Sequence, residues 1–213
     1  MVNTLSKLTT NTWVEATWED FVTIKEMPAL ERARFYYDKG FMRIEDMVIG
    51  SAHGQDNSIL AAVISLYGTI KDISYISFTG SNFSKTGERE CQPDLAYYIG
   101  SAVQRPPKNN QAVDVNQYGP PTLAIEISAS TLENDLGSKR LLYERLNVQE
   151  YWVVDVKAAQ IIAFSIADGG SHQIQTSQVL PNLDISIVEA ALQRSKTEDD
   201  GSINRWLLKQ WMV

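Results

Sequence analysis

The sequence has few of the residues that build disulfides, zinc clusters and membrane-spanning helices. Cys91 is the single cysteine among 213 residues, which excludes an intramolecular disulfide and a cysteine-based zinc site. The two histidines, His53 and His172, are too few for a histidine-rich metal site. No run approaches the roughly 18 uninterrupted apolar residues of a membrane span. Any metal would therefore be held by oxygen ligands, which suit magnesium, manganese or calcium.

Positive charge is also scarce, because 19 lysines and arginines stand against 26 aspartates and glutamates, for a net charge of −7. Proteins that coat nucleic acid non-specifically carry a dense basic surface, so the composition disfavours that class but is compatible with a local basic cleft. The first residues, MVNTLSKLTTNTW, lack the apolar core of a secretory signal. We therefore expect a cytoplasmic protein with no membrane partner.

Composition and hydrophobic periodicity predict one globular domain of the mixed α/β (α+β) class, with a mixed central β-sheet flanked by helices. We expect a core over about residues 50–166, an N-terminal helix and β-hairpin over 15–48, and a C-terminal extension over 167–213. Helices are predicted over 18–25, 53–70, 132–146, 187–193 and 203–212. Strands are predicted over 34–38, 41–45, 75–79, 94–99, 122–129, 151–156 and 160–166, with loops over 104–121 and 195–202. The helix over 132–146 is expected to cross over between the two strands that flank it.

One carboxylate stands in the middle of an apolar run, in the segment TLAIEISAS that begins at Thr122. The run predicts a strand buried on both faces, and Glu126 within it needs a cation, hydrogen-bond donors or a proton. Lys139 lies central on the apolar face of the helix that follows. Its side chain either snorkels to water or meets a carboxylate inside the fold. We favour an approach to Glu126, because the crossover helix packs back on the same sheet.

The second acid is Asp94, at the start of the segment PDLAYYI after its proline. Alternation places Asp94 on the strand face of Ala96, and Glu126 on the strand face of Ser128. If the two strands are neighbours, both acids converge at a strand-end pocket near Lys139. Two carboxylates that hold a divalent cation, beside an ammonium that stabilises developing negative charge, are suited to metal-dependent hydrolysis.

The order of these residues resembles the PD-(D/E)xK nuclease superfamily, in which Pro-Asp begins one strand and a second acid stands on the next. A longer series resembles one branch of it, the Uma-two family of "putative restriction endonucleases". That series is Pro93-Asp94, Glu126-Ile-Ser128, Asp135-x-x-x-Lys139-x-x-x-Tyr143 and Glu150-Tyr-Trp-Val-Val-Asp155. The similarity covers roughly residues 15 to 190 and implies a restriction-endonuclease-like core.

The resemblance implies that Asp94, Glu126 and Lys139 are catalytic. It further implies that Asp94 and Glu126 bind Mg2+ or Mn2+, with the backbone carbonyl of Ile127 as a third ligand. The usual lysine of the superfamily follows the acid by two residues, where this chain has Ser128. In the family pattern the lysine is instead on the following helix, where this chain has Lys139.

The accessory candidates are Ser128, His53, Asp135 and Tyr143. The last three each have a competing structural interpretation. His53, at a helix start, either contributes to the pocket rim or caps the helix or lies exposed. Asp135 either joins Lys139, or it caps the helix or favours the helix N-terminus electrostatically, and we favour this second interpretation. Tyr143 is expected to pack in the core with its hydroxyl hydrogen-bonded, which also allows a supporting role at the site.

These features favour a metal-dependent endonuclease that hydrolyses nucleic acid, DNA more than RNA. The alternative is a catalytically inactive binding module with the nuclease fold, which the acidic net charge and Ser128 support. A paired-carboxylate glycosidase is the weakest interpretation, because that chemistry has no need of Lys139. Cleavage of both DNA strands would favour a homodimer.

Overall fold

The structure, a computed structural model, describes residues 9–46 and 50–212, which alternate between strands and helices. The strands are β1 Trp13–Glu15, β2 Arg34–Asp38, β3 Phe41–Glu45, β4 Tyr75–Thr79, β5 Phe83–Lys85, β6 Arg89–Cys91, β7 Leu95–Ile99, β8 Val113–Asp114, β9 Leu123–Ser128, β10 Glu150–Asp155, β11 Gln160–Ala167 and β12 Gly170–Ile174. The helices are α1 Trp18–Lys25, α2 Ser51–Ile70, α3 Val115–Tyr118, α4 Leu132–Asn134, α5 Arg140–Leu146, α6 Ile185–Arg194 and α7 Asp200–Trp211. A 3-10 turn spans Pro28–Leu30 and a π-helical segment spans Asp135–Lys139. None of the helices in the described ranges has the length and apolarity to cross a membrane.

The chain forms two compact units that are interleaved in sequence. The first draws on the described part of Met1–Ile49, with Ser81–Gln92 and Pro106–Gly119. The second draws on Gly50–Gly80, Pro93–Arg105 and the described part of Pro120–Val213. It therefore includes most of the predicted core and the predicted C-terminal extension. The assignment of the whole chain to one domain remains a prediction.

The first unit is built on a mixed sheet in the order β1-β3-β2-β6-β5-β8, in which β5 and β8 run parallel. β2 and β3 form the predicted hairpin, and its turn residues Lys39 and Gly40 have φ values of 34° and 94°. Glycine suits the second position because it tolerates positive φ without a Cβ clash. α1 begins as predicted, with a capping box between Thr17 and Asp20. The apolar core consists of Ala16, Phe21, Ile24, Phe35, Tyr37, Met42 and Ile44.

The second unit is built on a mixed sheet in the order β12-β11-β10-β9-β7-β4. Only β9 and β10 run parallel among its paired strands, and α4 and α5 connect them as the predicted crossover. The other neighbouring strands are antiparallel. They include β7, which follows Asp94, and β9, which contains Glu126, so the condition for the two acids to converge is met.

The two faces of this second sheet carry different chemistry. Alternate strand residues, among them Tyr97, Ile125 and Trp152, join α2, α6 and α7 in the main apolar core. Glu126 points to the opposite face, where Tyr143 of α5 contacts it. The alternation in the sequence predicts this division of β9 correctly, because successive side chains of a strand point to opposite faces.

The structure departs from the sequence prediction where the patterns are weak. The predicted exposed loop over 104–121 is confirmed for most of residues 104–112 but is wrong further on, because Val113 and Val115 are buried and begin β8 and α3. The predicted loop over 195–202 is shorter, since Asp199 caps α7 and the helix begins at Asp200. The predicted continuous helix over 132–146 is divided by the π-helical segment. β12 was not predicted, and its half-exposed residues show no alternation of burial.

Gly68 provides a test of the close packing between α2 and β4. A Cβ at Gly68 would lie 2.8 Å from Cε1 of Tyr75, whereas a Cβ at Gly54 in the same helix would meet no atom within 4 Å. We predict that Gly68→Ala lowers the free energy of unfolding by about 1–3 kcal/mol through overpacking. The control Gly54→Ala should raise it by up to about 1 kcal/mol through helix propensity. Urea unfolding measures both values, and equal shifts would contradict the packing described.

The buried side chain of Tyr97 is expected to make the folded protein less stable at high pH. Its side chain is fully buried, and its hydroxyl has no hydrogen-bond partner among residues 9–46 and 50–212. Burial, with a smaller effect of Tyr75, raises the pKa of this phenol far above its usual value. The unfolded chain releases the proton near pH 10 while the folded chain keeps it, so the free energy of unfolding falls as the pH rises above about 10.

We predict that Tyr97→Phe removes this component of the pH dependence. Near pH 8 the variant should be as stable as the wild type or more stable, because the lost hydroxyl makes no hydrogen bond. Between about pH 9 and pH 11 it should lose less stability than the wild type. Guanidinium unfolding at several pH values measures the difference, and parallel curves would show that Tyr97 ionises normally.

Candidate active site

The carboxylate of Glu126 is held by two groups from the crossover that follows β9. Glu126 is 2% exposed in a strand whose six residues are all buried. The Tyr143 hydroxyl donates a hydrogen bond to Oε1 at 2.7 Å, and Lys139 Nζ lies 3.6 Å from Oε2. The predicted approach of Lys139 to Glu126 is therefore confirmed. Tyr143 packs in the core with its hydroxyl hydrogen-bonded, as expected, since its ring is fully buried and its hydroxyl donates to the carboxylate of Glu126.

Lys139 is itself enclosed, with 1% of its surface exposed. The alternative that it snorkels to water is therefore wrong. Its ammonium lies 3.0 Å from Oδ1 of Asp135, which is closer than the 3.6 Å to Glu126. A buried ammonium is stable only when paired, and removing one partner of such a pair leaves an uncompensated charge. Two carboxylates share this one cation.

Asp94 reaches the same strand end from β7. Leu95 pairs with Ile125 in the antiparallel register, so continuing the register by one residue places Asp94 opposite Glu126. Asp94 is 2% exposed, and its Oδ2 accepts a hydrogen bond from the main-chain N–H of Ile127 at 2.7 Å. In an extended strand the N–H and C=O of one residue point to the same edge. The carbonyl of Ile127 is therefore directed to the edge where Asp94 stands.

His53 joins the site through Asp94. It is the third residue of α2, its side chain is 14% exposed, and Nε2 lies 3.2 Å from Oδ1 of Asp94. The N-cap of α2 is Gly50, so the interpretation of His53 as a cap or an exposed residue is wrong. Its Nδ1 is buried and has no hydrogen-bond partner in the described part of the chain. The carboxylate of Asp94 thus has contacts with an imidazole and with a strand N–H.

One turn further along α2, Asp56 is a buried carboxylate that the sequence analysis missed. It is 8% exposed, and burial raises its pKa above the usual value, an effect that His53 and Lys196 partly offset. An acid at helical spacing from His53 was the available signal, since residues three apart share a helix face.

Asp135 does not cap a helix, contrary to the favoured interpretation. The N-cap position is Thr131, and Asp135 begins the π-helical segment with 1% exposure. Its Oδ1 contacts Lys139, and its Oδ2 accepts a hydrogen bond from Thr131 Oγ1 at 2.6 Å. Ser128 is buried, and its Oγ lies 3.3 Å from Thr131 Oγ1. Thr131, four residues before Asp135, was not among the predicted site residues.

Tyr151 of β10 contacts both Asp135 and Tyr143. Its hydroxyl donates to the main-chain oxygen of Asp135 at 3.0 Å, and its ring stacks on Tyr143 at 4.6 Å between centroids. Asp155, at the end of the same strand, belongs to the hairpin turn, because its Oδ1 accepts from the main-chain N–H groups of Lys157 and Ala158.

The second unit thus gathers three carboxylates, an ammonium and an imidazole at one end of its sheet. In residues 9–46 and 50–212, no group of three or more histidine, cysteine, aspartate and glutamate side chains is arranged to hold a metal ion. Any cation at this strand end would therefore depend on the carboxylates of Asp94 and Glu126 and on main-chain oxygen. Such a cluster of buried charges can stabilise negative charge on a substrate or hold a hard cation.

Comparisons with known proteins identify a fold and a family. The chain is similar to the crystal structure of "a putative nuclease belonging to DUF820" from Anabaena variabilis ATCC 29413, with 17% identity and a TM-score of 0.58. That match covers 83% of this chain and 99% of the other, and at this identity it shows a shared fold. No curated protein matches. The family model of Uma2 (Uma-two) matches residues 18–197, and the chain therefore belongs to this family, which is described as "Putative restriction endonuclease".

Proposed function

We propose that this chain is an endonuclease that hydrolyses phosphodiester bonds in nucleic acid, DNA in preference to RNA, with Mg2+ or Mn2+ as cofactor. The observation that carries the proposal is the buried pair of Glu126 and Lys139, 3.6 Å apart, at the strand end where Asp94 stands opposite Glu126. Membership of a family described as restriction endonucleases supports a nucleic-acid substrate.

The topology of the second unit supports a restriction-endonuclease-like core. Antiparallel β7 and β9 bring the two acids to one end of the sheet, and α4 and α5 carry the chain to the parallel strand β10. The fold shared with a protein named as a nuclease agrees with this assignment. Because one fold hosts many functions, the proposal depends on the site rather than on the topology.

The donor atoms at this strand end fit a hard divalent cation. The carboxylates of Asp94 and Glu126 and the carbonyl of Ile127 are all oxygen ligands, which Mg2+ and Mn2+ prefer. When bound there, the cation would supply Lewis-acid stabilisation of the phosphate and a more acidic water.

The side chains around these acids have separable tasks in the proposed reaction. Lys139 holds a positive charge beside Glu126, where it stabilises the negative charge that develops on the phosphate in the transition state. Tyr143 fixes Oε1 of Glu126, so Oε2 is the oxygen that faces Lys139. His53 and the N–H of Ile127 each bind a different oxygen of Asp94 and thereby orient its carboxylate.

A nucleic-acid-binding module without catalysis is the second candidate, and one observation favours it. The Lys139 ammonium lies closer to Asp135 than to Glu126, so part of its charge is engaged within the fold. A lysine committed to Asp135 would stabilise the structure without acting on a phosphate. The presence or absence of metal-dependent cleavage distinguishes the two candidates.

We predict that Glu126→Gln reduces Mn2+-dependent cleavage of double-stranded DNA by about 100-fold or more, because it removes a ligand charge and one of the two charged partners of Lys139. The glutamine keeps the volume of the side chain and an oxygen for the Tyr143 hydroxyl, so the fold should persist. A gel-based cleavage assay with Mg2+ or Mn2+, on single- and double-stranded DNA and on RNA, measures the effect.

The matched control for this assay is Glu133→Gln, which makes the same chemical change at an exposed position of α4. It should cleave as the wild type does. If the wild type cleaves none of the substrates with either metal, the binding module replaces the nuclease as the better proposal. If Glu126→Gln and Glu133→Gln are equally active, the assignment of the site is wrong.

We also predict that a divalent cation stabilises the wild type more than Asp94→Asn. A cation present at about 100 times its Kd adds about 2.7 kcal/mol to the free energy of unfolding of the state that binds it. Thermal unfolding with and without Mn2+ measures this as a shift in Tm. Asp168→Asn is the control, since Asp168 is exposed in a turn with a φ of 53° that asparagine also tolerates. Equal Tm shifts for Asp94→Asn and Asp168→Asn would exclude Asp94 as a ligand.

A further inference from the structure

We propose that Thr131 is a positioning residue for Lys139, on which it acts through Asp135. Thr131 Oγ1 donates to Oδ2 of Asp135 at 2.6 Å, while Oδ1 of the same carboxylate lies 3.0 Å from Lys139 Nζ. One carboxylate therefore links the hydroxyl to the ammonium. The inference rests on the proposed nuclease function and concerns how that site holds its lysine.

The geometry of Thr131 shows that its hydroxyl serves Asp135 and not the helix. Thr131 occupies the N-cap before Leu132, where a threonine normally accepts a hydrogen bond from a main-chain N–H of the first turn. It makes no side-chain capping bond. Leaving the cap unmade costs about 1 kcal/mol of helix stability. Capping therefore does not explain why the Thr131 hydroxyl is turned toward Asp135.

Ser128 extends the same line of hydrogen bonds. Its Oγ lies 3.3 Å from Thr131 Oγ1, and Thr131 has already given its one hydroxyl hydrogen to Asp135, so Ser128 is the donor. The Ser128 hydroxyl therefore donates to Thr131 and the Thr131 hydroxyl donates to Asp135, and each hydrogen bond polarises the next. From Asp135 the same line continues to Lys139, whose ammonium lies 3.6 Å from Glu126, the residue two positions before Ser128 on β9.

The main chain of Asp135 is fixed as firmly as its side chain. Tyr151 donates to its carbonyl oxygen, and the N–H of Asp135 donates to the carbonyl oxygen of Thr131 at 2.9 Å. Asp135 and Lys139 are the two ends of the π-helical segment, a conformation that is often found at functional sites. The carboxylate therefore stands in one place, and the ammonium that it binds is directed at Glu126.

Loss of the Thr131 hydroxyl should alter the chemical step more than substrate binding. Without it Oδ2 of Asp135 loses its short hydrogen bond, and the carboxylate becomes free to rotate and to draw Lys139 away from Glu126. A group that stabilises the transition state changes kcat, whereas uniform binding changes KM. A residue that only stabilises the fold would change the unfolding midpoint and leave both kinetic constants of the folded enzyme intact.

The test compares Thr131→Val, which keeps the shape and removes the hydroxyl, with Thr131→Ser, which keeps the hydroxyl. In the Mn2+-dependent cleavage assay we expect Thr131→Val to lower kcat roughly tenfold with little change in KM. Thr131→Ser should restore most of the loss. Thr69→Val is the matched control, because the Thr69 hydroxyl donates to the main-chain oxygen of Ser65 near the other end of α2 from His53. It should leave kcat unchanged.

A second measurement, which needs neither metal nor cleavage, separates this inference from the proposed function. The 15N NMR signal of the Lys139 ammonium, assigned by its loss in Lys139→Arg, should shift or broaden in Thr131→Val and remain in Thr131→Ser. If the wild type cleaves nothing and the signal still follows this pattern, the nuclease proposal fails and the positioning of Lys139 stands. If the signal is the same in Thr131→Val as in the wild type, or if both variants change it equally, the positioning role is overturned, whatever the unfolding midpoints are.

Discussion

The second unit depends on the ammonium of Lys139, which is buried at 1% exposure against the carboxylates of Glu126 and Asp135. Taking charges out of water is so costly that such a group persists only with close partners and good geometry. Each neighbouring feature supplies part of that geometry. β9 carries Glu126 to the strand end, the π-helical segment spaces Asp135 from Lys139, and the stacked tyrosines Tyr143 and Tyr151 bind the two acidic residues. A hydrophobic residue at position 139 would leave two buried acids facing each other, so the lysine determines which side chains this face of the sheet can hold.

The chain order explains how few elements are needed to assemble the site. Glu126, Thr131, Asp135, Lys139 and Tyr143 come from one continuous stretch of strand, turn and crossover helix, so their relative placement is mainly local. Asp94 and His53 are the long-range members: sheet pairing places Asp94, and His53 comes from α2, which packs in the main apolar core. A slip of β7 by one residue against β9 would move Asp94 to the other face, because side chains alternate along a strand. The hydrogen bond from the Ile127 N–H to Asp94 marks the correct register from within the site itself.

The pairing of Glu126 with Lys139 could be predicted from the sequence, because two charged residues in apolar surroundings stand out against the periodicity of the strand and the helix. The hairpin around Gly40 and the division of faces along β9 follow from equally local patterns. The position of Asp135 could not be predicted, since an acid near a helix start is compatible with capping or with an i to i+4 ion pair. The choice depends on where the helix begins, since Thr131 takes the N-cap position and Asp135 lies four residues further on. β8 and α3 were missed for a related reason: two buried valines anchor them, and two residues make no periodicity.

The charge of the assembled cluster adds an independent argument for a cation at this strand end. The carboxylates of Asp94, Glu126 and Asp135 surround the single ammonium of Lys139, so the acidic groups outnumber the basic one by two. Such an excess of acidic groups at the edge of a buried sheet raises the free energy of the folded state unless a counter-charge approaches. The reason is that the effective dielectric constant is lower there than in water. A divalent cation would supply a counter-charge for this excess of acidic groups. The same excess would repel the polyanionic substrate proposed for this chain, so the proposed cation would also favour the approach of a phosphodiester to Lys139.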